Sequence, residues 1–229
     1  MVAQTASLAQ IVRDHPAAAR VFHRHHLDFC CGGRSSLQDA CAEQHLDLNV
    51  VMSELDASIG SDAYASIHPD MWSTEFLTAF ILQNHHAFVR QELPQTIEQM
   101  TNVVRKHGSS FIDATAILEL LQELYLSLTQ HMMAEEADLL SYVAASTPAD
   151  QRRQLINEHM NDHEDLGRKL QRLRAITSDF TPPAGACTTH RAAYDGMQRF
   201  YADTMQHVFL ENVILFPRLA GTMLPITNH

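Results

Sequence analysis

Two stretches of this chain carry the same pair of chemically active residues at the same spacing. HVFLENVILFPRL, from His207, places Glu211 four residues on, so both share one face of a helix otherwise filled by Val, Phe, Leu and Ile. HMMAEEADLLSYV, from His131, does the same with Glu135, and the two stretches align again at Leu139 and Leu215. An imidazole and a carboxylate in an apolar stripe either bond to each other or point at something that offsets their desolvation. Each pair is preceded by a helical stretch with a fainter signal: HAFVRQEL from His86 and HEDLGRKL from His163. His86 to His163 spans 77 residues and His131 to His207 spans 76, which points to an internal duplication.

A single His-x-x-x-Glu is common on solvated helix faces. Here the doubled pattern lies among Met132, Met133, Leu139, Leu140, Phe209, Val213, Ile214 and Phe216, where unpaired carboxylates would be costly and metal ions would neutralise them. Four imidazoles and two carboxylates are more than one ion needs. Two ions, each with two imidazoles and sharing both carboxylates, have four protein donors apiece. A bridging oxo or hydroxo group makes five and leaves one position open on each. Nitrogen and oxygen donors without thiolate suit iron, manganese or zinc, and electron chemistry favours iron. By position alone, His85 competes with His86, and His159 with His163. The Glu-x-x-His order of ferritin-like bundles is not what this chain repeats.

A second candidate is DFCCGGRSS, residues 28–36. Gly32 and Gly33 permit a sharp turn that leaves a thiol near free backbone amides, and Arg34 would favour a thiolate. HRHH at 23–26 adds titratable neighbours. Thiol redox chemistry or transient iron binding at Cys30 and Cys31 follows, against simple burial of either as a small hydrophobe. Adjacent Cys30 and Cys31 do not bridge without strain, and their spacing to Cys41 and Cys187 fits neither a zinc ribbon nor a secreted disulfide framework. Reduced thiols in a reducing compartment are expected. Cys41 is expected to pack in a helix, and spacing gives Cys187 no role.

The elements that must position these groups are helical throughout, because no stretch alternates like a strand. Helices are expected over 7–27 and 36–58, with 47–56 either continuing the second or adding a third. GSDAYASIHPDMW, 60–72, reads as a linker. Four long helices follow over 73–106, 111–145, 149–176 and 190–218, the pattern of an up-and-down bundle. The expected division is therefore a helical domain over 1–60 and a bundle over 73–221. Among 229 residues, 16 Lys and Arg stand against 27 Asp and Glu, a net charge of -11 that disfavours nucleic acid. No apolar run nears the roughly 18 residues a membrane span needs, and the N-terminus lacks a secretory pattern. A cytoplasmic protein is expected.

DFCCGGRSSLQDAC, NHH with RQELP, HMMAEE, TPPAGACTT and HxxxENxxLFPR together resemble the iron-sulfur cluster repair di-iron proteins, also called repair-of-iron-centres proteins. The resemblance spans almost the whole chain. It implies an all-α fold, a hemerythrin-like four-helix bundle behind a small N-terminal helical domain. It also implies a non-haem di-iron centre held by His86, His131, Glu135, His163, His207 and Glu211, with Cys30 and Cys31 as the family's paired cysteines. His86 matches by its distance from the ELP segment, and His163 by the HEDLG context. His190 departs from the pattern, which has an aromatic there. The family's role implies damaged iron-sulfur proteins as clients under nitrosative or oxidative stress. Iron delivery, nitric oxide removal and nitric oxide reduction all remain open, as does a hemerythrin-type oxygen or nitric oxide binding or sensing role. A homodimer is expected because helical bundles commonly self-associate.

Overall fold

The computed structural model describes residues 2–61, 68–108, 110, 111, 113–143 and 147–222, and every extended element among them is helical. Two compact units emerge, one from the described residues of Met1–Leu77 and Val208–His229, the other from Thr78–His207.

The first unit holds α1 (Leu8–Asp14), α2 (Ala18–Arg24), α3 (Leu37–Glu43) and α4 (Leu48–Ser61). The single helix expected over 7–27 is thus two. Pro16 lacks an N–H and forces His15 out of the helical region, to φ -139° and ψ 84°. The helix expected over 36–58 also divides. His45, at φ 55°, closes α3 while the Leu46 N–H returns to the Cys41 carbonyl at 2.8 Å. Asp47 then starts α4 by accepting from the Asn49 N–H at 2.8 Å, so 47–56 opens a helix of its own. His26, at φ 61°, closes α2 in the same left-handed way, which gives the last residue of HRHH a backbone role. Ser7 and Ser36 cap α1 and α3, accepting from Gln10 and Asp39, and an isolated antiparallel bridge joins the two caps. Phe22, Phe29 and Phe209 pack in succession, with ring centroids 6.3 and 5.7 Å apart. The 60–72 linker lies partly outside the described residues; its end, Pro69–Met71, is a short 3₁₀ turn.

Four helical runs carry the repeat. Run α5 joins Thr74–Phe80, a π-helical turn Ile81–His86 and Ala87–His107. Then come α6 (Ala114–Val143) and α7 (Ala149–Ile176). Run α8 joins Thr188–Phe209, a second π-helical turn Leu210–Leu215 and Phe216–Leu219. Within Thr78–His207 these runs close on one another through named pairs. Arg90 bonds Glu136 at 2.7 Å, Lys169 bonds Ser127 at 2.7 Å, Arg174 bonds the Tyr201 hydroxyl at 3.3 Å, and Arg199 bonds Glu92 at 2.6 Å. Leu93, Met100, Leu121, Leu124, Leu170, Met197 and Phe200 fill the interior. This is a four-helix bundle. No helix among the described residues is long and apolar enough to cross a membrane.

His190, where an aromatic was expected, does an aromatic's work. It is buried, with its ring edge-on to Phe111 at 4.7 Å and Tyr194 at 5.1 Å. Burial, helped by nearby His107, holds its pKa below the ordinary 6.5.

Candidate metal centre

His86 ends the first π-helical turn, His131 and Glu135 stand one turn apart on α6, His163 lies on α7, and His207 lies on α8 just before its π-helical turn. His86, Glu135, His163 and His207 are wholly buried, and His131 nearly so. The imidazoles meet in two pairs, His86 Nε2 with His207 Nε2 at 3.1 Å and His131 Nε2 with His163 Nε2 at 3.0 Å. Glu135 Oε2 reaches both pairs, 3.3 Å from His86 Nε2 and 3.5 Å from His131 Nε2. The donor atoms of His86, Glu135 and His207 all lie within 4.8 Å of one another, and so do those of His131, Glu135 and His163. Glu211 follows His207 by one turn on α8, inside the second π-helical turn, and is also wholly buried.

This donor set fits metal ions on two grounds. Two donors bound at ~2.1 Å and about a right angle apart are separated by about 3.0 Å, the spacing within each imidazole pair. Neither oxygen of the buried Glu135 has a hydrogen bond among the described residues, a costly arrangement unless a cation takes the carboxylate.

Outer carboxylates aim the imidazoles. His86 Nδ1 donates to Glu136 Oε1 at 2.9 Å, and His131 Nδ1 lies 3.3 Å from Asp162 Oδ2. A neutral imidazole that gives its Nδ1 proton to a carboxylate presents an Nε2 lone pair inward, as a metal ligand must. Burial acts upward on the Glu136 carboxyl, but its bonds from His86 and Arg90 outweigh that and hold it below the usual carboxylate range. Sequence reasoning missed these carboxylates, although Glu136 adjoins Glu135 and Asp162 adjoins His163. The two competing histidines lie outside both donor groups. His85 pairs with Asp203 at 2.9 Å, and His159 with Asp138 at 2.9 Å. Of the apolar surroundings read from sequence, Met132, Leu139, Phe209, Ile214 and Phe216 are buried and Val213 is half-buried. The side chain of Leu140 lies outside the described set, and Met133 is 64% exposed. A cleft of about 340 Å³ between α6 and α7 has His131 in its wall, beside Asp162, Asp165 and Lys169.

The cysteine turn is built on Asp28. Its Oδ1 accepts from the backbone N–H groups of Cys30 and Cys31, both at 3.0 Å, and from the Cys30 thiol at 3.3 Å. The two sulfurs are 3.5 Å apart and unbridged. Only glycine fits at position 33, since a Cβ there would stand 2.3 Å from the Phe29 carbonyl oxygen. Arg34 was expected to favour a thiolate, but the surroundings of Cys30 act the other way. Burial, then Cys31 and Asp28, push its pKa well above the ordinary 9.0. Asp28, Cys30 and Cys31 also form a group with metal-ligand spacing, and Asn212 of α8 touches the Cys30 carbonyl at 3.5 Å.

Fold and site together define a helical-bundle protein with a buried cation-binding centre. Residues 78–219 match the hemerythrin HHE cation binding domain, and residues 4–59 match a domain of unknown function, DUF542. The chain is 36% identical over 217 residues to the iron-sulfur cluster repair protein YtfE of Edwardsiella ictaluri, covering 93% of this chain and 96% of that one. It is 33% identical over 215 residues to the proteins of the same name from Yersinia pseudotuberculosis and Yersinia pestis, covering 93% of this chain and 95% of each. The chain belongs to the family of iron-sulfur cluster repair proteins.

Proposed function

We propose that this chain restores damaged iron-sulfur clusters in client proteins and does so with a non-haem di-iron centre. The observation that carries the reading is Glu135, a buried carboxylate set between two imidazole pairs, in a chain whose relatives are named for cluster repair. His86 and His207 hold one ion, His131 and His163 the other, and Glu135 is shared. Glu211, the duplicate of Glu135 in the repeated His-x-x-x-Glu, serves as the second shared carboxylate, with an oxo or hydroxo bridge completing the pair. Iron held there supplies one-electron chemistry and open positions for a small ligand such as nitric oxide.

The chain's own residues do the remainder. Glu136 and Asp162 keep His86 and His131 turned inward, and the apolar surroundings keep bulk water from the carboxylates. The cleft beside His131 gives small molecules and ions a way in and out. Cys30 and Cys31 act as the relay for iron or electrons. With its raised pKa, Cys30 keeps its proton until an arriving cation displaces it. The setting is the cytoplasm, where such thiols stay reduced, and the working form is a homodimer acting under nitrosative or oxidative stress.

The test is to purify the chain from iron-replete cells, count its metals and add it to an iron-sulfur enzyme inactivated by nitric oxide. The expected result is two irons per chain, the near-ultraviolet absorption of an oxo-bridged diferric site, and recovery of the client enzyme. Stoichiometric zinc with refusal of iron on reconstitution overturns the metal reading. Reversible oxygen binding without any effect on the nitrosylated client supports oxygen storage instead.

A further inference from the structure

His85 and His86 are neighbours in sequence, and a regular helix would turn them about 100° apart, so that one faces a given stripe and the other does not. The π-helical turn Ile81–His86 widens the helix at this point, and both imidazoles end up buried. His86 joins the candidate metal group; His85 does not. What His85 does is visible in its contacts. Its Nδ1 lies 2.9 Å from Asp203 Oδ1, and its ring lies parallel to that of His207, 8° apart in plane with centroids 5.7 Å apart. Phe80 meets the His85 ring edge-on at 5.6 Å. Asp203 stands one turn before His207 on α8, so a single helix supplies both the anchor for His85 and the ring on which it lies.

Packing alone does not explain an imidazole here. Its Nε2 is buried without a hydrogen-bond partner among the described residues, a cost that phenylalanine would avoid while presenting a similar flat surface. Only histidine offers both the face to His207 and the Nδ1 bond to Asp203. The other half of the site is built differently. His159, bonded to Asp138, meets His131 edge-on at 5.4 Å and 82° rather than face to face.

We propose that His85, anchored by Asp203, is a positioning residue that fixes the ring plane of His207 and so tightens the ion held between His86 and His207. This rests on the two-metal reading given above. A ligand ring held in place beforehand loses less freedom when metal arrives, and outer residues that aim ligands commonly account for 10- to 100-fold in affinity.

The experiment uses the full chain as wild type, His85→Ala, His85→Phe and Asp203→Asn, loaded with ⁵⁷Fe(II) without oxygen. It reads iron bound per chain against free iron, the Mössbauer spectrum, and thermal unfolding of each metal-free protein. In His85→Ala, one of the two irons should bind about 10- to 100-fold more weakly, with one quadrupole doublet altered and the other kept. His85→Phe, which keeps the ring but not its anchor, and Asp203→Asn should shift the same doublet by less. A purely structural role would lower the unfolding temperature of the metal-free protein and leave both doublets in place. That result, or wild-type affinity for both irons in His85→Ala, overturns the inference. Should His85→Ala not fold, His85→Phe decides: wild-type affinity and spectrum there overturn it equally. A wild-type chain that binds no second iron sinks the two-metal reading itself, a failure visible before any variant is compared.

Discussion

At the scale of single residues, two buried side chains make opposite demands on the fold. Glu135 is buried with no hydrogen bond to its carboxylate among the described residues, a cost that a cation offsets in the proposed site. Glu135→Met keeps the length and removes the polar group. The metal-free variant should be more stable than metal-free wild type by about 1–3 kcal/mol in denaturant unfolding, while iron uptake collapses. A variant that is less stable and still takes up iron contradicts the role given to Glu135. His190 is buried for packing instead. Its folded pKa lies below 6.5, so between the two values the unfolded chain binds the extra proton. Stability from this group is complete above pH 6.5 and is lost as pH falls through the folded value. His107 lies near His190 and acts in the same direction, and Tyr194 packs against it. His190→Phe should therefore lose less stability than wild type between pH 7.5 and pH 5.5 in parallel denaturant titrations; an identical loss would clear His190 of the effect. Both residues stood out in the sequence, one by repetition and one by departure from a pattern. Their partners did not, because no spacing rule joins His86 to Glu136 or His85 to Asp203 across two helices.

At the scale of helices, the site depends on how closely α5 and α8 approach. Gly196 of α8 faces α5 so tightly that a Cβ there would stand 2.4 Å from Thr96 Oγ1 and 3.1 Å from Glu92 Oε1. Thr96 is wholly buried and β-branched, so its hydroxyl has little room to yield. Gly196→Ala should cost about 1–3 kcal/mol of stability by overpacking, and adding Thr96→Ala should recover part of that in a double-mutant cycle. Simple additivity of the two changes would show that the contact does not limit the approach. The four long helices were legible from periodicity because each buries one stripe over many turns. The breaks within shorter ones were legible only in part. Pro16 stops α1 by a rule visible in sequence, whereas His26 and His45 end α2 and α3 in left-handed conformations that glycine would have advertised and histidine did not. Ser178, Asp179 and Phe180 are likewise all left-handed. They are held locally by Arg174 on Asp179 at 2.7 Å, and by Phe180 packed against Tyr201, a contact that exists only after α7 and α8 have paired. The π-helical turns were not legible, since neither Ile81–His86 nor Leu210–Leu215 carries a proline or glycine to mark a break in the helix.

At the scale of the whole molecule, the chemistry is divided between two compact units. His86, His131, Glu135, His163 and His207 belong to Thr78–His207, and Cys30, Cys31 and Glu211 to the other unit. The sequence placed the cysteine turn in an N-terminal segment but could not show that it packs on the last part of α8, where Phe209 meets Phe29 and Asn212 meets the Cys30 carbonyl. That contact joins residues far apart in the chain and leaves no local pattern. Iron binding and thiol chemistry rest on different side chains and should separate under mutation. Cys30→Ala with Cys31→Ala removes both sulfurs without touching any of the six ligands proposed for the di-iron centre, at a packing cost of about 1 kcal/mol for the buried one. The double variant should keep two irons per chain and lose most of its ability to revive an iron-sulfur enzyme inactivated by nitric oxide. His131→Ala should lose iron and repair together. Some recovery is expected to survive the loss of the thiols, because ferrous iron released from the bundle still reaches the client through solution, and a strong iron chelator should abolish that remainder. If the double variant repairs at the wild-type rate in the presence of the chelator, iron and electrons do not pass through Cys30 and Cys31, and the bundle must serve its clients directly.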